Sequence, residues 1–375
     1  SDLVGQTGTI TESNLAIEAN GNVTLGQSND VDVLAIDTAT GNVRFSDSDG
    51  FAIDTVDLVT GIDTDAGSVT LAAASGNVTV ASAVGATDAI GITLSGAGGV
   101  FTVNGGVDVG TTTNGISVTA DDIAIQNVAD GDFSDATLTA AGQTVTLKPA
   151  SAGDTIGVED ASKEFKLSNT ELNNIKATNL TVGSGTNTGG ITIATDNPVS
   201  QAKNLTFVTG GPVGINGNLG TTANGTLTIA NGGALTIAPA GDISTDGTFA
   251  QTGAGAVSTA GDILTSADDI SFASAVTLTG PVAMSTGAGA GNISFTNELS
   301  GAQGLSMTAG GGNIIFNGAV GATPLGAVTI ASAADVTASS TFKAAGLTQS
   351  GGTGTTQLNG AVTLNGPFAL TTDII

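Results

Sequence analysis

The residues best equipped for chemistry gather in one short stretch: Asp47, Asp49, Asp54 and Asp57, with Asp63 and Asp65 following and Arg44, the single arginine, just before. Hard cations such as calcium want several oxygens converging from a flexible loop, and Asp47-Ser48-Asp49-Gly50 opens such a loop. Asp47, Asp49, Asp54 and Asp57 are therefore the candidate calcium ligands. The motif is incomplete, because no glutamate follows at the spacing of a bidentate ligand. Asp30-Val31-Asp32, Asp121-Asp122 and Asp130-Gly131-Asp132 are weaker versions of the same pattern. The competing reading makes these aspartates corner formers whose like charge discourages lateral aggregation of long exposed flanks.

Catalysis has little to work with. The chain contains no His and no Cys, which removes the usual nucleophile and base pairs. Carboxylate clusters with a basic partner serve some polysaccharide-cleaving proteins, but here that arrangement reduces to Arg44 beside Asp47, Asp49 and Asp54. A solvated face is the favoured reading of those residues. The expectation is a protein that is not an enzyme and needs no cofactor, calcium at the aspartate stretch aside.

The elements that must position these side chains are read from a repeat. Gly291-Asn292-Ile293-Ser294-Phe295 returns as Gly312-Asn313-Ile314-Ile315-Phe316, and near copies begin at Gly21, Gly41, Gly67, Gly76, Gly241 and Gly261. Gly followed by Asn or Asp supplies the positive-φ backbone of a tight corner. The alternation after it, apolar then small then apolar, buries one face of a short strand. Copies about twenty residues apart indicate a solenoid. At roughly 4.8 Å per coil, about eighteen such coils would make a rod near 90 Å long, with small apolar side chains stacked in a thin core.

Composition supports this reading. The 375 residues include 57 Gly, no Trp or Tyr and only 3% aromatics, too few large side chains to fill a globule of that size. Disorder is opposed by 40% hydrophobic and only 11% charged residues. The formal charge of −26, from 33 acidic against 7 basic residues, argues against nucleic acid and anionic membranes as partners. No apolar run is long enough for a transmembrane helix, so direct membrane insertion is not expected. The absence of cysteine suits an exported protein.

One continuous solenoid over residues 1–375 is expected, in three textures. Residues 1–135 hold 19 of the 33 carboxylates. Residues 136–196 are less regular, hold Lys148, Lys163, Lys166 and Lys176, and offer one helical turn at 168–175 with Ser168 or Asn169 as its N-cap. Residues 197–375 carry the cleanest repeat, in triplets such as Leu235-Thr236-Ile237 and Val276-Thr277-Leu278.

Several longer stretches carry a family likeness. The run Thr144-Val145-Thr146-Leu147-Lys148-Pro149-Ala150, then Leu167-Ser168-Asn169-Thr170-Glu171-Leu172, Leu180-Thr181-Val182-Gly183 and Gly190-Ile191-Thr192-Ile193, resembles a recurrent block of filamentous-haemagglutinin-like bacterial surface proteins. So do Leu325-Gly326-Ala327-Val328-Thr329-Ile330 and Thr348-Gln349-Ser350-Gly351-Gly352 followed by Leu358-Asn359-Gly360-Ala361-Val362. The likeness covers about a third of the chain closely. It implies a right-handed parallel β-helix, exported through a translocator and displayed as a fibre. The export module that opens such proteins is not found, which implies either a processed product or an internal segment.

The functional expectation is a non-enzymatic structural protein of the cell surface or extracellular space: a stiff fibre for adhesion or biofilm-matrix cohesion. Its expected partners are further copies stacked end to end, the continuation of a longer chain, or a cell-surface or glycan target. The alternative is a carbohydrate-binding or carbohydrate-active β-helix, disfavoured by the lack of Trp and Tyr.

Overall fold

The computed structural model describes residues 3–126, 135–194 and 198–372. It is nearly all β, with parallel strands stacked as a β-solenoid of about 16 turns, and only 2% is helical. The chain divides into two compact units, Ser1–Gly183 and Ser184–Ile375.

Each turn is built from three short strands. In the first unit Val69–Ala73, Val78–Val80 and Val84–Ala86 make one turn, and Ile90–Leu94, Val100–Val103 and Asp108–Thr111 make the next. Like stacks on like: Val69 under Ile90, Val78 under Phe101 and Val84 under Val109. Within such a strand the middle residue faces out and its neighbours face in, as Val78, Thr79 and Val80 do. Each inward Val, Leu, Ile or Phe contributes about 1.5–3 kcal/mol of burial, and parallel pairing forces that pattern on every turn.

Coil length separates the two units. The column Val23, Val43, Val69, Ile90, Ile116, Val145 and Leu180 advances by 20 to 35 residues per turn. In the second unit the column Leu205, Leu227, Phe249, Ile270, Ile293, Ile314, Val336 and Thr356 advances by 20 to 23. Longer coils in the first unit make the turns fewer than the eighteen expected from a uniform repeat.

The corner motif works differently from expectation. Gly41 and Gly76 do adopt positive φ, 108° and 72°. Gly291 and Gly312 do not; a Cβ on either would collide with a carbonyl of the preceding coil, Asp268 O or Gly291 O. Close approach of stacked backbones, rather than handedness, excludes a side chain there. The Asn or Asp that follows links coils: Asp269 Oδ1 accepts the Asn292 N–H at 2.7 Å, Asn292 Oδ1 that of Asn313 at 2.9 Å, Asn313 Oδ1 that of Asp335 at 3.0 Å, and Asp335 Oδ1 that of Thr355 at 2.7 Å. The first unit repeats the device from Asn22 to Asn42 and from Asn42 to Ser68.

Inside the corners, carbonyls that no strand can reach are satisfied by buried side chains. Thr245 Oγ1 donates to Gly247 O at 2.6 Å and Thr259 Oγ1 to Gly261 O at 3.0 Å, a Thr-x-Gly pattern closing consecutive turns. Gln251 Nε2 donates both to Gly253 O and to Asn231 Oδ1. The core also holds more aromatic bulk than a small-residue ribbon needs. Phe272 stacks on Phe295 and Phe295 on Phe316, each pair with ring centroids 5.5 Å apart and planes 5° from parallel.

The expected helical turn is present as Asn169–Asn174, with Ser168 as its N-cap. Ser168 Oγ accepts the Glu171 N–H and Glu171 accepts the Ser168 N–H, a reciprocal capping box from Ser-x-x-Glu. One antiparallel hairpin, Thr55–Val56 with Val59–Thr60, folds Val56 and Val59 onto Ala35, with Ala16 and Val33 beside them. At the far side of the second unit, Thr356–Leu358, Val362–Leu364 and Phe368–Leu370 each pair with a strand on one side only, among the described residues. Thr356 is buried, but the inward side chains of the other two stay open: Val362 is 39% and Phe368 55% exposed.

Candidate functional site

The fold keeps Asp47 and Asp49 side by side at one corner but gives Asp54 and Asp57 separate surroundings. Asp47 ends the strand Val43–Asp47 and is buried. Its Oδ1 accepts the N–H groups of Asp49 at 3.1 Å and Gly50 at 3.0 Å, and its Oδ2 accepts that of Val31 at 3.1 Å. Burial pushes its carboxyl above the usual range, although those three amides pull the other way. Its lone pairs are spent on closing a corner. Asp54 Oδ1 instead accepts the Ser82 hydroxyl at 2.8 Å, and Asp57 sits in the hairpin turn at φ 52°. Asp49 leads into the corner at Gly50, which stacks against Asn77 of a neighbouring coil. Arg44 faces outward over Gly26 and makes no ion pair among the described residues.

Among the described residues no group of three or more acidic side chains is placed to hold a metal ion. Asp47, Asp49, Asp54 and Asp57 are therefore not brought together as a calcium site. Asp47 and Asp49 share one corner, whereas Asp54 and Asp57 fall at other points of the chain's path. Asp130 and Asp132 lie outside the described residues.

A different carboxylate group emerges from the stacking. Glu18 pairs in register with Asp37, and Asp37 with Asp63, so three carboxylates form an outward column one coil apart. The column continues as Gly85, Gly110 and Thr139. Missing side chains at the two glycines leave a groove of about 390 Å³ walled by Asp63, Asp65, Asp108, Thr87 and Thr112. Burial, then the charges of Asp65 and Asp37, push the Asp63 carboxyl above its usual range. The sequence hides this column because the steps from Glu18 to Asp37 and from Asp37 to Asp63 differ, 19 and 26 residues.

A second charged cluster surrounds the helix. Lys166 Nζ pairs with Asp122 Oδ2 at 2.7 Å, and Lys163 with Asp160 at 3.6 Å. Burial, then Asp121 and Glu164, push the Asp154 carboxyl up, while the Ser162 hydroxyl holds that of Asp160 down. No helix among the described residues is long and apolar enough to cross a membrane. No family model, curated protein or solved structure matches the chain.

Proposed function

We propose that this chain is a structural, non-enzymatic β-solenoid of the cell surface or extracellular space, and that it builds a stiff fibre for adhesion or matrix cohesion. The observation that carries the reading is the coil-to-coil ladder Asp269, Asn292, Asn313, Asp335 and Thr355. It sits beside the stacked Phe272, Phe295 and Phe316, so the stabilising contacts run from each coil to the next. The outward residues between them, such as Ser271, Ser294, Thr236 and Ser258, are small and uncharged. Kinship with filamentous-haemagglutinin-like proteins belongs to this proposal and rests on the stretches that resemble them.

Fibre growth by end-to-end stacking of coils is part of the same proposal. Residues 336–372 carry Lys343 and no carboxylate, whereas residues 3–38 carry Glu12, Glu18, Asp30, Asp32 and Asp37 and no base. This difference in charge between the two segments is compatible with stacking of one copy on another. Sedimentation velocity at rising concentration tests this. The native chain should shift to faster species, whereas Phe368→Asp, which repels an acidic partner at an already exposed position, should stay monomeric. A native chain that sediments as one species throughout would overturn stacking.

Carbohydrate binding is the second reading. The groove at Asp63, Asp108, Thr87 and Thr112, rich in acceptors for sugar hydroxyls, supports it. Glycan-array binding lost in Thr87→Ala would support that reading, and silence across the array would count against it.

A further inference from the structure

The strand Asp122–Ile125 pairs along one edge with Val100–Val103. There the N–H of Gln126, just past the strand, donates to Val103 O at 2.9 Å. Its other edge is closed in an unusual way. The Ile125 N–H, which in a regular turn would donate to a carbonyl of the next coil, donates instead to Glu171 Oε1 at 3.3 Å. The Lys166 N–H donates to Asp122 Oδ1 at 2.9 Å, and Lys166 Nζ bridges Asp122 Oδ2. Among the described residues, these closures use carboxylate side chains in place of a main-chain ladder.

We propose that Phe165–Leu167 and the helix Asn169–Asn174 form a separable cover over the open edge of Asp122–Ile125, latched by Glu171 and tightened by mild acid. Separability follows from the kind of bond across this edge: the described ladder of Phe165–Leu167 runs to Ile156–Val158 and not to the covered strand, and side-chain closures open locally at lower free energy than stacked coils. The cover also protects an edge that would otherwise template pairing with another chain.

The direction of the pH effect comes from what faces Glu171. Its Oε2 accepts the N–H and the hydroxyl of Ser168, both at 2.8 Å. Asp122, itself bridged to Lys166, faces it from the covered strand, and Glu159 accepts the Asn169 N–H at the start of the same helix. Burial pushes the Glu171 carboxyl above its usual range, Ser168 and Ile125 pull it down, and Asp122 adds a further upward push. A carboxyl that holds its proton more tightly when closed than when open favours closure at low pH. Closure weakens as pH rises through that raised value. When protonated, one oxygen still accepts from Ile125 while the hydroxyl donates to Ser168 Oγ.

Amide hydrogen exchange on the full chain, followed from about pH 4 to about pH 8 and corrected for intrinsic rates, tests this with an internal control. Protection at Ile125 should fall as pH rises, tenfold for each unit by which closure raises the carboxyl. Protection at Gln126, in the ladder on the other edge, should hold. Glu171→Gln should keep Ile125 protected at every pH, and Glu171→Ala should leave it unprotected at every pH. Flat protection at Ile125 in the native chain would overturn the proposal. So would the same slope in Glu171→Gln, or a parallel loss at Gln126.

Discussion

Asn292 Oδ1 accepts the backbone N–H of Asn313 at 2.9 Å, so the side chain of one corner completes the backbone of the next. The relationship explains why either Asn or Asp is tolerated there, since the bond to the next coil uses only the side-chain oxygen; Asn292 Nδ2 makes an additional bond to Asp269 Oδ1 at 3.0 Å. Asp269 and Asp335 stand in the same column. Asn313→Ala should therefore cost about 0.5–1.5 kcal/mol in urea unfolding, with Asn313→Asp costing far less. Equal losses for the two variants would contradict an acceptor role.

Much of the architecture was legible in the repeat, because parallel stacking makes each coil solve the same problem and the solution recurs as Gly-Asn-Ile-Ser-Phe. The helical turn was legible for a local reason, Ser168 three residues before Glu171. The candidate site was less so. Asp47, Asp49, Asp54 and Asp57 are close in sequence, but corner, coil and hairpin geometry sends them to different tasks. The Glu18, Asp37 and Asp63 column depends on coil lengths that vary through the first unit, and nothing local encodes that register.

Gly312 and Gly91 should respond oppositely to alanine. A Cβ at Gly312 meets the Gly291 carbonyl, whereas one at Gly91 meets nothing within 4 Å. Gly312→Ala should lower the melting temperature by many degrees. Gly91→Ala should stabilise by about 0.4–1 kcal/mol by restricting the unfolded chain. Thermal melts of the two variants decide the matter, and a harmless Gly312→Ala would show that stacking tolerates a wider gap.

Thr259 tests the buried corner bonds. Thr259→Val keeps shape but strands the Gly261 carbonyl inside the protein, and should cost about 1–3 kcal/mol. Thr259→Ser keeps the donor and should recover most of that. Chemical denaturation of both would reveal a purely steric role if Ser fared no better than Val.

Mild acid should relieve the repulsion at Asp63. The Asp63 carboxyl is raised in the folded chain, so its stabilising contribution is fully present below the ordinary aspartate range and is lost as pH rises through the folded value. Asp63→Asn removes the charge that Asp37 and Asp65 oppose. The variant should melt higher than the native chain at neutral pH and lose that advantage in acid. A constant difference between the two at all pH values would contradict the column's electrostatic coupling.

The central claim, a fibre grown coil on coil, is tested most directly by electron microscopy of the purified chain across a wide range of concentrations. The account predicts filaments that lengthen with concentration and show an axial repeat of about 4.8 Å from coil to coil. Isolated particles of constant size at every concentration would contradict it.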